Sequence, residues 1–324
     1  MGSVPRLLNQ PRGAIHPAAE ESGVSMDSGP RRLMGYRAKE AAWAYLFLTP
    51  FFIGLVAFIL GPVVAALAIS FTSWDLLSPP VWIGLDNYRA MASDALFWTA
   101  LQNTLYFTVV SVPLGLALAL GLATLMNNKL RGINFLRAIY FFPVTASIVA
   151  VSLLWAWMYT PDFGIINYTL SSLGLPTPTW LVDPKLAMPS IIIMSIWRGL
   201  GFNIVVFLAG LQSIPRDLYE AAELDGAGDW SRFRQITVPL LTPTIFFAAV
   251  MALITSFQVF EQTYIMTQGG PGNATLTLVY HIFQNGFTFL RMGYASAMSF
   301  VLFAILFAIT IVQVRLQTRW VHYA

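Results

Sequence analysis

Polar and apolar residues along this chain separate into long blocks. Apolar stretches lie near 44–69, 101–126, 138–159, 188–211, 242–260 and 292–314. A helix of about 20 mostly apolar residues crosses a hydrocarbon core, and only helices or closed barrels satisfy every backbone group there. Alternation with a period of two is absent, which argues against a barrel. The blocks therefore predict an all-α polytopic transmembrane bundle of six spans. The stretch 262–290 has no charged residue and is a candidate for a further helix. Its Gly269-Gly270-Pro271-Gly272 break and the polar His281, Gln284 and Asn285 predict an external or re-entrant helix instead of a full span.

Composition agrees. Of the 324 residues 57% are hydrophobic and 10% are charged, a balance foreign to soluble domains. Without cysteine there is neither a disulfide framework nor a thiolate metal site. The placement of cations sets the orientation. Arg6, Arg12, Arg31, Arg32, Arg37 and Lys39 precede the first span; Lys129, Arg131 and Arg137 follow the second; Arg216, Arg232 and Arg234 follow the fourth; Arg315 and Arg319 follow the sixth. The alternate connections hold only Arg89, Lys185 and Arg291. Both termini and the connection 213–239 are thus expected in the cytoplasm. Residues 1–40 mix Pro, Gly, Ser and both charge signs without an apolar run leading to a cleavage site. They read as a disordered cytoplasmic tail, not a signal peptide, ahead of a transmembrane domain at 41–324.

The connection SIPRDLYEAAELDGAGDWSRFRQITVPLLTP is polar yet helix-forming. Ser213 stands where a cap is wanted, Pro215 suits a first turn and Asp217 complements the helix dipole. Leu218, Ala221 and Ala222 share one face. Asp225-Gly226 supplies a turn, Asp229 is placed to cap a second helix with Trp230 and Phe233, and Pro239 leads into the fifth span. A helix-turn-helix knob follows. From the residues alone, an amphipathic connector lying on lipid headgroups is the alternative.

The spacing of Glu220, Ala221, Ala222, Asp225, Gly226, Ile236 and Pro239 resembles the EAA loop of binding-protein-dependent ABC importer permeases. Val238 stands where that family carries leucine. The likeness extends to sugar permeases of the maltose and glycerol-phosphate uptake type. It includes GLDNY at 84–88, Arg137 with Pro143, LAGLQSIP at 208–215, Thr267-Gln268-Gly269-Gly270-Pro271 with Thr275, and Met292-Gly293-Tyr294-Ala295. The resemblance implies a MetI-like permease fold in a bacterial or archaeal cytoplasmic membrane and docking of the loop on an ATPase. It also implies a second permease subunit, two ATPase subunits carrying ATP and Mg, and an extracytoplasmic solute-binding protein. The chain's own residues agree that ATP is hydrolysed elsewhere. Lys39, Lys129 and Lys185 follow Ala, Asn and Pro, so no phosphate-binding loop is present. No catalytic motif, and no nucleic-acid partner, is expected.

A charge in mid-span is a functional candidate by default. Arg198 shares a helical face with Ser195, Gly199 and Phe202 and either lines a pore or pairs with Glu261 or backbone carbonyls. On the fifth span Thr255, Gln258 and Gln262 follow roughly helical spacing, flanked by Phe257 and Glu261. Amides, carboxylates and aromatic faces suit a sugar, although polar residues also hold helices together. The expected function is an ATP-driven importer of a sugar or polyol. Its alternatives are an anionic solute such as glycerol 3-phosphate, or, from another class, an ion-coupled secondary transporter.

Overall fold

The computed structural model describes residues 30–127 and 133–320. Most of the expected tail (1–29), together with Lys129 and Arg131, lies outside these. The described residues up to Gly61 form one compact unit and those from Pro62 onward another. In the first, α1 (Pro30–Leu55) is followed by a π-helical turn at Val56–Leu60. Its start at Pro30 places helix within the stretch expected to be tail, because proline's fixed φ suits a first helical turn.

Helix α2 (Gly61–Ser70) starts at the boundary and runs into the second unit, followed by a short antiparallel pair, β1 (Thr72–Ser73) with β2 (Val81–Trp82). Then come α3 (Asp86–Ser93), α4 (Ala95–Met126), α5 (Ile133–Thr145), α6 (Ile148–Met158), α7 (Ile165–Ser172) and α8 (Pro184–Ser213). A compact connection holds α9 (Arg216–Leu224), α10 (Asp229–Arg232), a π-helical turn at Phe233–Thr237 and α11 (Val238–Leu240). α12 (Thr242–Phe257), α13 (Glu261–Met266), α14 (Leu278–Phe283), a π-helical turn at Gln284–Thr288 and α15 (Met292–Trp320) complete it.

Four helical runs are long and apolar enough to span a membrane: Ala38–Ser70, Ala95–Met126, Pro184–Ser213 and Met292–Thr318. The other two expected spans are bent pairs, so the count reaches six only when each pair is one span. The third is Arg137–Thr145 with Ile148–Met158, bent by 106°. Pro143 lacks an N–H and the Thr145 hydroxyl donates to the Phe142 carbonyl at 2.8 Å, so the last turn of α5 is diverted. Ser147 is extended and α6 starts afresh. The fifth pairs Asp229–Leu240 with Thr242–Phe257 at 66°. Pro243 leaves the Pro239 carbonyl without its helical donor, and the Thr242 hydroxyl fills that place at 2.7 Å. Its helix stops at Phe257, short of the expected residue 260. Between 262 and 290 only short helical pieces form, as the glycine-proline break led one to expect.

The core is built around α4 and α8. Thr104, Thr108, Ser111, Gly115, Ala119 and Ala123 are all buried and recur every three or four residues on α4, which lets the two helix backbones approach. Gly201 does the same where α8 crosses α5, since a Cβ there would run into the Tyr140 carbonyl. Leu200, Ile204, Phe207, Leu208 and Leu211 of α8 pack with Leu241 and Ala248, so α12 closes the third side. Asp94 and Asp183 cap α4 and α8, each carboxylate accepting the N–H two residues on at 2.8 Å.

Candidate functional site: a cavity and the knob that joins its walls

A cavity of about 350 Å³ opens between α4, α8, α12 and α13. Of the residues proposed from sequence, Ser195, Arg198, Gly199, Phe202, Thr255 and Gln262 line it. A Cβ at Gly199 would meet nothing within 4 Å, so this glycine leaves open space beside the helix. Ser195 Oγ, Arg198 Nε and Gln262 Oε1 are buried without a hydrogen-bond partner. Polar groups elsewhere share that condition, among them Thr108 Oγ1, Ser152 Oγ and Arg137 Nε, but the residues that carry these three all line one cavity.

Phe257, Gln258 and Glu261 do not line it. Phe257 is buried against Leu278, Ala297 and Met298, holding α12 to α14 and α15. Gln258 and Glu261 are exposed. The helical spacing that grouped them fails because α12 ends at Phe257 and Phe260 leaves helical geometry, with φ −142° and ψ −61°. No ion pair joins Arg198 to Glu261 among the described residues. Sequence reasoning missed the α4 wall, where Phe107, Ser111 and Gly115 face the cavity, and Asn203 on α8. The stripe of small residues on α4 was the available signal.

The connection between α8 and α12 folds as a knob. Pro215 forces Ile214 into an extended conformation (φ −75°, ψ 125°), which stops α8 and lets α9 restart at Arg216. Ser213 does not cap α9. It belongs to α8, and its hydroxyl donates back to the Gly210 carbonyl at 2.7 Å. α9 ends as expected at Asp225-Gly226. Gly226 has φ +79°, its N–H donates to Glu223 O at 3.0 Å, and the Ala227 N–H donates to Ala222 O at 2.9 Å. This crossed pair of bonds is the Schellman motif, which needs a left-handed residue at the first position past the cap.

Gly228, not Asp229, precedes α10 at its cap position, and the Asp229 carboxylate instead pairs with Arg232, which also bonds Glu223 at 3.1 Å. A contact invisible in the sequence clamps the two arms: the Tyr219 and Thr237 hydroxyls are 2.8 Å apart. Tyr219 and Ile236 pack on the core below. Glu220, Ala221 and Asp225 are exposed and Ala222 and Pro239 are half-buried. Leu224 and Trp230 are 90% and 72% exposed, so the knob presents apolar side chains outward that none of the described residues covers.

The remaining sequence signatures act as latches. In GLDNY the Asn87 amide donates to the Ser70 and Thr72 carbonyls, both at 2.9 Å, and Tyr88 meets Ser70 at 2.8 Å. Thr267 and Thr275 hydroxyls lie 2.6 Å apart and Thr275 donates to Gly270 O at 2.7 Å, closing the glycine-proline loop. Arg137 donates to the Met126 carbonyl at the end of α4.

Residues 111–322 match the family described as binding-protein-dependent transport system inner membrane component. The chain is 40% identical over 275 residues to the sulfoquinovosyl glycerol transport system permease protein SmoG of Agrobacterium fabrum, covering 84% of this chain and 89% of that protein. It is 38% identical over 265 residues to the lactose transport system permease protein LacF of Rhizobium radiobacter, covering 80% and 88%. It also resembles a chain in the crystal structure of a bacterial alginate ABC transporter in complex with alginate pentasaccharide-bound periplasmic protein, at 26% identity and a TM-score of 0.78, covering 88% of this chain and 96% of that one. The chain therefore belongs to the binding-protein-dependent transport system inner membrane component family and is a multi-pass permease subunit of a sugar ABC importer, not an enzyme.

Proposed function

We propose that this chain is one half of an ATP-driven carbohydrate pore in the cytoplasmic membrane of a bacterium or archaeon, and that its knob receives the stroke of a separate ATPase. One observation carries the reading. The knob is the connection between α8 and α12, and these same two helices wall the cavity. From Gly199 to Ser213 helix α8 rises roughly 20 Å without a break, at about 1.5 Å per residue. A rigid displacement of α9 is thereby delivered to Arg198 and Ser195, and through α11 and α12 to Thr255.

The positive-inside distribution puts the knob and both termini in the cytoplasm, where Leu224 and Trp230 suit burial against an ATPase. The open side of the cavity would be completed by a second permease subunit. A solute-binding protein would deliver sugar at the opposite end, as the alginate structure's periplasmic protein suggests for that transporter. Membership of an ABC family replaces the ion-coupled reading. The deciding experiment is uptake in proteoliposomes. The chain with its permease partner, two ATPases and binding protein should concentrate sugar only with Mg-ATP, and the chain alone should not. ATP-independent uphill uptake by the chain alone would refute the reading.

A further inference from the structure

This inference rests on the carbohydrate-importer reading and narrows its solute. Among the described residues lining the cavity, Arg198 is the one charged side chain. Its Nε is buried without a partner, and among the described residues no carboxylate lies within ion-pair distance of it. Glu261, the acidic residue that sequence placed nearest, is exposed and outside the cavity wall. A guanidinium on a spanning helix is disfavoured unless water, an anion or several carbonyls face it, and here the Nε edge is buried while the residue as a whole is half-buried. The described residues supply neither an anion nor a set of carbonyls to it.

The rest of the wall is built for a ring. Phe107, Phe202, Met251 and Val259 offer apolar faces for C–H surfaces, and Ser195 and Gln262, whose Oγ and Oε1 are buried without a partner, stand in the same wall. The volume falls within the range of about 300–1,000 Å³ usual for small-molecule sites. A neutral sugar would satisfy the serine and the glutamine and leave the guanidinium unanswered. A sugar with an acidic substituent satisfies all three, because the guanidinium fork matches two oxygens of a carboxylate, sulfonate or phosphate.

We propose that this cavity accepts a carbohydrate bearing one anionic group, with Arg198 as its counter-ion. The test uses the assembled complex with its partner permease, ATPases and binding protein in proteoliposomes, and two labelled pairs: galactose against galacturonate, and glucose against glucose 6-phosphate. The acidic member of at least one pair should be imported with ATP. R198Q should raise its half-saturating concentration by about tenfold or more, and R198K should lie between R198Q and the wild type. Co-purification of the four kinds of subunit reports whether each variant assembles. If R198Q does not assemble, R198K carries the test, since it keeps the charge and loses the fork.

Import of an acidic sugar with unchanged half-saturation in R198Q, or in R198K where only that variant assembles, would overturn the proposal. That result would mean Arg198 answers to a carboxylate of the partner permease. Import of neutral sugars alone would overturn it too, and would leave the importer reading standing. If no sugar is moved by ATP, both fall together.

Discussion

The Tyr294 hydroxyl donates to Asp94 Oδ2 at 2.7 Å, joining the first turn of α15 to the residue that caps α4. The carboxylate's other oxygen accepts from the Leu96 N–H at 2.8 Å, and His281 Nε2 of α14 stands 3.6 Å from Oδ2. Helices α14 and α15 are thus held at one carboxylate that precedes Tyr294 by 200 positions in sequence. A hydrogen bond to a charged group contributes about 1.5–3 kcal/mol, so Y294F should lower the thermal midpoint of the purified complex clearly. An unchanged midpoint would mean that α15 is seated by its apolar contacts alone.

The same cluster gives a pH dependence with a definite sign. Burial pushes His281 below its ordinary value, more than the nearby Asp94 carboxylate lifts it. The unfolded chain therefore takes up a proton near pH 6.5 that the folded chain resists. The stability contributed by neutral His281 is complete above about pH 6.5 and is lost as pH falls through the lower folded value. Asp94 is also depressed: burial raises it, but the Tyr294 and Leu96 hydrogen bonds and the His281 charge together outweigh that. Its contribution persists above the ordinary carboxylate range and is lost only in stronger acid. The thermal midpoint of the wild type should thus fall as pH drops below 6.5, and H281Q should flatten that part of the curve. Parallel curves for the two proteins would show that His281 titrates as in the unfolded chain.

Gly226 tests the knob. Its φ of +79° is natural for glycine, tolerable for asparagine and strained for a β-branched residue, and a Cβ there meets nothing within 4 Å. The penalty is therefore conformational and not steric. G226V should misdirect α10 relative to α9 and abolish solute-stimulated ATPase activity, at a local cost of about 1–2 kcal/mol, while the chain still inserts. G226N should keep most of the stimulation. Equal activity in all three would show that the left-handed turn does not matter to docking.

How much of this was readable in advance depends on the range of the interaction. The Gly226 turn follows from local backbone preference, and the spans follow from the cost of leaving lipid-exposed backbone unpaired, so both were legible. Ser213 was misplaced because a hydroxyl near a helix junction has two carbonyl and amide networks to choose from, and it bonds back to Gly210 instead of forward. Phe257, Gln258 and Glu261 were grouped with Thr255 by assuming one unbroken helix; the break at Phe260 sends Phe257 into the α14–α15 core and leaves the other two exposed. The Tyr219–Thr237 clamp and the Asp94–His281–Tyr294 cluster join residues far apart in sequence that no spacing brings together. GLDNY and the threonine-glycine-proline signature were visible as family marks, but their work as latches, through Asn87 and Thr275, appears only in three dimensions.

Gly201 provides the sharpest packing test. At this position α8 crosses α5 so closely that an added Cβ would run into the Tyr140 carbonyl and crowd the Val144 side chain. The obstacle is backbone, which does not rotate away as a flexible side chain would. G201A must therefore separate two helices or bend one of them, at a cost in the range of about 1–3 kcal/mol typical of overpacking. Because α8 also walls the cavity, the shift should reach Arg198 and Phe202 within a turn on the same helix. The expected result is a lower thermal midpoint together with a raised half-saturating concentration for transported sugar. G199A is the matched control, since its Cβ points into open space, and it should leave the midpoint near wild type. Equal midpoints for G201A and G199A would show that α5 does not bear on α8 at this crossing.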